Sequence, residues 1–251
     1  MRFLILSDIH SNLDALEAAL EAAPAYDVVA NLGDIVGYGA CPNEVIDRSR
    51  ELGNIFVRGN HDKACSGIAD VRGFNYVAAA AVVWTHHALR PDNLEWLKAL
   101  PQGPLALEPL DGVQVVHGSP RDEDEYLLAS EHAADSLETV EIPLTFFGHT
   151  HMQGGFLLTN NQEITFHPRY NEENENESWE FSLDRPGKYL INPGSVGQPR
   201  DGDWRAAFAV YDSDATKITF HRVVYDIAKA QKRIRDAKLP ERLADRLVHG
   251  R

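Results

Sequence analysis

His149 and His151 stand one residue apart in FFGHTHMQGG, where the apolar run at 144–147 gives way to Gly148. If the backbone stays extended there, residues two apart point to the same side, and both imidazoles reach one point in space. The alternative is a polar loop whose histidines merely cap a strand. Other apolar runs end in the same kind of chemistry. RFLILSDIH delivers Asp8 and His10, YDVVANLGD delivers Asp34, NIFVRGNHD delivers Asn60, His61 and Asp62, and VQVVHGS delivers His117. Carboxylates, an amide oxygen and imidazoles together suit borderline divalent ions such as Mn, Fe, Zn, Ni or Co. They are too many for one tetrahedral ion, whereas two ions sharing a bridging carboxylate would use them all. Each piece alone is weak. Their order, and the glycines beside Asp34, Asn60 and His149 that mark tight turns at strand ends, favour a site over a run of capping loops.

Such a site needs elements that aim all these ends one way. RFLILS reads as a buried strand, and NLDALEAALEAA follows with Leu13, Leu16 and Leu20 at helical spacing. YDVVANLGD, NEVIDRSREL and NIFVRGNHD continue as strand, helix and strand, which predicts βαβ units with parallel strands. GFNYVAAAAVVWTHHAL and NLEWLKAL read as helices, the second stopped by Pro101. Beyond them VQVVHGS, LTFFGHT, KYLINPGS, AAFAVYD and ITFHRVV read as strands of a second sheet, with one helix near 130–139. In α/β sheets, sites form outside the carboxyl ends of strands, so the chemistry collects on one edge. No repeat or linker divides the chain, which predicts a single domain over 1–251. The apolar-free NEENENES at 171–178 predicts a solvated acidic loop. The segment at about 225–248 predicts two short amphipathic helices broken at Pro240.

Composition excludes other classes. The 251 residues carry 24 Lys+Arg against 38 Asp+Glu, a net charge of −14. Such a chain is poorly suited to duplex nucleic acid or to anionic membranes, both of which are bound through basic patches. Cys41 and Cys65 form neither a disulfide framework nor a zinc-finger spacing. Free cysteines, with no apolar leader or membrane span, predict a cytoplasmic protein. His86 and His87, away from every cluster, are read as structural.

SDIHSN, GDIVGYG, GNHD, VHGSP and GHTH, in this order, resemble the blocks of calcineurin-like metallophosphoesterases, from residue 2 to about 211. NPGSVGQPRDGD at 192–203 further resembles the small prokaryotic branch of phosphodiesterases and diadenosine-tetraphosphatase relatives. The resemblance implies a four-layer α-β-β-α sandwich of two mixed sheets flanked by helices, with a two-metal site at the sheet edge. Carried onto this chain, it assigns Asp8, His10 and His151 to one ion, Asn60, His117 and His149 to the other, and Asp34 to both. It makes His61 the proton donor, with Asp62 to orient it. The implied reaction is attack on a small phosphoester by a metal-bridged hydroxide. Nucleotide phosphodiesters, dinucleoside polyphosphates and phosphomonoesters are the candidate substrates. A non-catalytic metal-binding scaffold and a nuclease, both known in the family, are the alternatives.

Departures from the family pattern narrow the choice. Protein serine/threonine phosphatases carry Asp-Arg-Gly after G-D-x-V, whereas this chain has Gly37 and Tyr38 there, which argues against a phosphoprotein substrate. Tyr38 could stack on a base. Arg200 could supply the missing cationic grip or simply pair within its loop. Asn12 either faces phosphate or caps the first helix, and the cap is the favoured reading. Ser11, where relatives often have glycine, is expected to be harmless.

Overall fold

The computed structural model describes residues 1–53 and 55–251. Asn54, read above as the start of the third strand, lies outside the described residues. The first half alternates as expected: β1 (Arg2–Leu6), α1 (Leu13–Ala22), β2 (Val28–Asn31), α2 (Pro42–Leu52) and β3 (Ile55–Phe56), then α3 (Asn60–Ser66), α4 (Tyr76–Ala88) and α5 (Pro91–Lys98). The second half holds β4 (Leu105–Ala106), β5 (Val113–Val115), α6 (Ser130–Thr139), β6 (Leu144–Phe146), β7 (Gly154–Thr159), β8 (Gln162–Phe166) and β9 (Glu177–Ser182). It continues with β10 (Lys188–Asn192), β11 (Ala206–Asp212), β12 (Lys217–Val223), α7 (Ile227–Asp236), α8 (Glu241–Asp245) and a 3-10 turn, Arg246–His249.

These strands form two mixed six-stranded sheets, ordered β3-β2-β1-β11-β12-β9 and β4-β5-β6-β10-β7-β8. Within them β1, β2 and β3 run parallel, as do β5, β6 and β10. Side chains alternate across a strand, and β1 shows the result. Phe3 and Ile5 enter the core between the sheets, where they meet Phe146, Ile191 and Phe220. Leu4 and Leu6 enter the other core, which α1, α2, α4 and α7 cover. On the far side of the second sheet, Ala133 and Leu137 of α6 pack on Phe156 and Leu190. Helices, sheet, sheet and helix are therefore stacked in four layers. Among the described residues, no helix is long and apolar enough to cross a membrane.

Two sequence expectations give way. The third strand is short, and Asn60, His61 and Asp62 open α3 instead of prolonging it. The Asp62 carboxylate explains the switch, because it accepts the Gly59 N–H at 3.0 Å and caps the helix start. The acidic loop is shorter than expected: 171–176 is exposed, but Glu177 and Ser178 belong to β9.

Candidate metal centre

Every donor anticipated from the sequence lies in a loop or helix start that follows β1, β2, β3, β5 or β6. The loops after β1 and β2 are zipped together by Asp8 N–H to Gly33 O, His10 N–H to Asp34 O and Ser11 N–H to Ile35 O, each 3.0 Å. The backbone after β6 is not extended. His149 and His151 have φ of 65° and 59°, and Asp8, His10, Ser11, Asp34 and Tyr38 share this left-handed conformation. The pair converges because the chain coils, not because a strand continues. Gly148 is needed for close approach, since a Cβ there would lie 2.1 Å from Ser7 Oγ and 2.9 Å from Asp8 Oδ2. Five of the donors, Asp8, His10, Asp34, His149 and His151, take the left-handed backbone themselves.

Ser11 bears that conformation, at φ 55°, and a buried hydroxyl with no hydrogen-bond partner. Ser11→Gly removes both costs and is expected to raise stability by about 1–2 kcal/mol. That corresponds to a thermal midpoint several degrees higher. A variant melting at or below its parent would show that the hydroxyl is engaged.

The donors form two groups with one shared member. Asp8, His10, Asp34 and His151 offer atoms within 4.8 Å of one another, and so do Asp34, His117 and His149. Asn60 joins the second group, its Oδ1 3.4 Å from His117 Nε2. Asp34 Oδ2 lies 3.5 Å from both His10 Nε2 and His117 Nε2. Three rings are oriented by backbone carbonyls: Nδ1 of His10 meets Val36 O at 3.0 Å, that of His117 meets Leu32 O at 2.7 Å, and that of His151 meets Gln198 O at 2.5 Å. A proton on each Nδ1 leaves Nε2 as a lone pair facing inward. The Nε2 atoms of His10 and His151 then stand 3.1 Å apart, and His151 Nε2 lies 3.2 Å from Asp8 Oδ1, a buried oxygen with no hydrogen-bond donor. Lone pairs facing one another in a buried site call for a cation. His149 differs, its Nε2 meeting Asp124 O at 3.1 Å.

The electrostatics agree. Burial alone would raise Asp8 and Asp34, but the surrounding imidazoles outweigh it and hold both carboxyls below their usual range, Asp34 well below. Burial would lower His117, yet Asp34 and Asp8 push it up to about 9. Burial, with His117 alongside, takes His149 down to about 3. The donor set fits a divalent metal centre.

The remaining candidates separate. His61 is buried beside the centre, its ring 4.3 Å from Tyr38, 4.8 Å from His10 and 4.9 Å from Phe74. Asp62 does not orient it, because its carboxylate is taken up by the backbone N–H groups of Val36 and Gly59, and His61 Nδ1 has no partner. Packing holds the ring instead: a Cβ on Gly37 would lie 2.5 Å from His61 Nδ1. Asn12 accepts from Ala15 N–H and donates to Gly197 O, so its amide is spent on the helix cap and a neighbouring loop. Among the described residues Arg200 makes no ion pair, and within its loop it meets only Gln198 Oε1, at 3.5 Å. Its Nη2 lies 3.3 Å from Tyr38 Oη, and its Nε is buried without a partner.

A cavity of about 260 Å³ opens over Asn60, His61 and His149, walled by Phe74, Asp124 and Tyr126. These three walls were not foreseen from the sequence, and DEDEYLL carries no spacing that marks Tyr126, whose ring stacks 3.7 Å from His149. The acidic loop takes no part in this cavity. Its Glu175 O and Asn176 Oδ1 are held instead by Arg205 and by Val224 N–H.

Residues 1–153 match the calcineurin-like phosphoesterase family. The chain is 42% identical to a metallophosphoesterase from Sphaerobacter thermophilus, with a TM-score of 0.84 over 100% of this chain and 99% of that one. An uncharacterized protein of Methanocaldococcus jannaschii is 38% identical over 253 residues, covering 98% of this chain and 97% of the relative. A hypothetical protein of Pyrococcus horikoshii shares the fold at 22% identity, with a TM-score of 0.78 over 100% and 98%.

Proposed function

The chain belongs to the calcineurin-like phosphoesterase family, as a metal-dependent phosphoesterase, and from that premise we propose that it cleaves small nucleotide phosphoesters with two divalent ions. The observation that carries the proposal is the sharing of Asp34 between two groups of donors. Asp8, His10 and His151 would hold one ion, Asn60, His117 and His149 the other, and Asp34 both. When bound, such ions polarise phosphoryl oxygens and activate water as a nucleophile.

The chain's own residues do the rest. Among the ligands only Asp8 and Asp34 carry charge, so two divalent ions would leave the pocket positive and draw phosphate to an acidic protein. Arg200 adds a guanidinium beside Tyr38 and so supplies a cationic grip on the ester. His61, facing the cavity, protonates the leaving oxygen. Burial, with Arg200 and the other imidazoles adding to it against Asp34, brings His61 down to about 4. A phosphate anion beside it favours the protonated ring and raises it again. The cavity of about 260 Å³ suits a small ester rather than a folded phosphoprotein or a duplex. Manganese is the ion we expect to support turnover, in the cytoplasm.

Bis(p-nitrophenyl) phosphate with added Mn²⁺ tests the reading. Turnover that chelation abolishes and Mn²⁺ restores is expected, with no cleavage of duplex DNA. Two ions bound without turnover of this ester or of a nucleotide panel would favour a scaffold. Faster cleavage of DNA would favour a nuclease.

A further inference from the structure

Tyr38 closes one side of the cavity over His61, and its far side opens on a second cavity. That second space, of about 660 Å³, shares Tyr38 and Asn75 with the first and is walled by Arg242, Arg246 and the exposed ring of Tyr76. Arg246 Cζ sits 5.7 Å from the Tyr38 ring centre, and Arg200 Cζ sits 6.0 Å from it. Cationic groups thus run from the metal loops, past Tyr38, into the second cavity.

In a chain of net charge −14, arginines normally find carboxylates. Arg58, Arg90, Arg205, Arg222 and Arg235 all do. Among the described residues, Arg200, Arg242 and Arg246 pair with no Asp or Glu side chain, and Arg246 Nε donates instead to Arg251 O at the rim of the same cavity. The three face one another. Burial, together with repulsion from Arg200 and Arg242, makes Arg246 a stronger acid than a free guanidinium. The cluster is fixed in place: Gly202 N–H donates to Gly250 O at 3.0 Å, which ties the 3-10 turn to the loop that carries Arg200. Like charges held together beside a phosphoester site, with no acidic side chain paired to them, form an anion site.

We infer that the cavity walled by Tyr38, Arg242 and Arg246 is a second phosphate subsite. It holds a phosphate of the substrate that lies beyond the bond cleaved. The inference rests on the phosphoesterase reading and deepens it, because it selects small molecules with more than one phosphate over simple mono- and diesters.

Calorimetry on the metal-loaded chain reads the subsite directly, with inorganic tripolyphosphate and orthophosphate as probes and metal content checked after titration. Tripolyphosphate is expected to bind tighter than orthophosphate. Arg242→Gln/Arg246→Gln should weaken tripolyphosphate by about tenfold or more while orthophosphate changes less than about twofold. Arg246→Lys, which keeps the charge, should recover part of the loss. Equal weakening of both probes, or of neither, would overturn the subsite. If the parent binds both probes as expected but turns over no phosphoester, the catalytic reading fails and the anion site stands.

Discussion

Asp34→Asn is expected to disable both halves of the centre at once. The substitution is nearly isosteric, and an amide oxygen can still accept the His61 N–H that Asp34 Oδ1 accepts at 2.8 Å. What it loses is the charge, and the oxygen lone pairs set 3.5 Å from both His10 Nε2 and His117 Nε2. An amide N–H in that place would donate to an imidazole instead of sharing a cation with it. Metal per chain, read by elemental analysis, should fall toward zero. The value of kcat/KM on bis(p-nitrophenyl) phosphate should fall by more than ~100-fold, the upper range for a residue that merely supports a ligand. Asp8 belongs to one group only, so Asp8→Asn should leave part of the metal bound. If Asp34→Asn keeps its parent's metal and rate, Asp34 is not the bridge.

His61→Ala should do the opposite, keeping the metal and losing rate. His61 stands in neither donor group, and its ring is held by Tyr38, His10, Phe74 and the backbone of Gly37. A proton donor matters most when the departing oxygen is a strong base. We expect a loss of ~10²–10⁴-fold for an alkyl ester, and a clearly smaller one for the matching p-nitrophenyl ester. The measurement is the ratio of the two losses with metal content verified. A ratio near one would assign His61 to holding the pocket in shape.

Most of the centre was legible because its residue types are costly to bury without a purpose. Asp8, His10, Asp34, His117, His149 and His151 each close an apolar run, and strand ends in α/β folds gather on one edge. The local backbone was not legible. An extended path through His149 and His151 was the simplest inference, yet both residues are left-handed, held so by tertiary contacts that the sequence does not spell out. Asp62 was misread for a similar reason. It was read as orienting His61, although a carboxylate three residues past Gly59 at a helix start is placed to cap. The hairpin of β7 and β8 had a signal that was passed over: Asn160 and Asn161, both at positive φ, form the two-residue turn that twisted hairpins favour. The arginine cavity joins residues more than 200 positions apart, Tyr38 to Arg242 and Arg246, and no local pattern announces such a meeting.

Each group of donors draws on both sheets. Asp8, His10, Asp34 and Asn60 follow strands β1, β2 and β3 of the first, while His117, His149 and His151 follow β5 and β6 of the second. Metal held across that seam would act as a rivet. Its binding free energy would be gained only while both sheets keep their registry, so that neither could fray without releasing it. Occupancy would then stabilise the sandwich as a whole, by about 2.7 kcal/mol at free metal a hundredfold above the dissociation constant. The same loops that make the chemistry would make the unfolding of the two sheets one event.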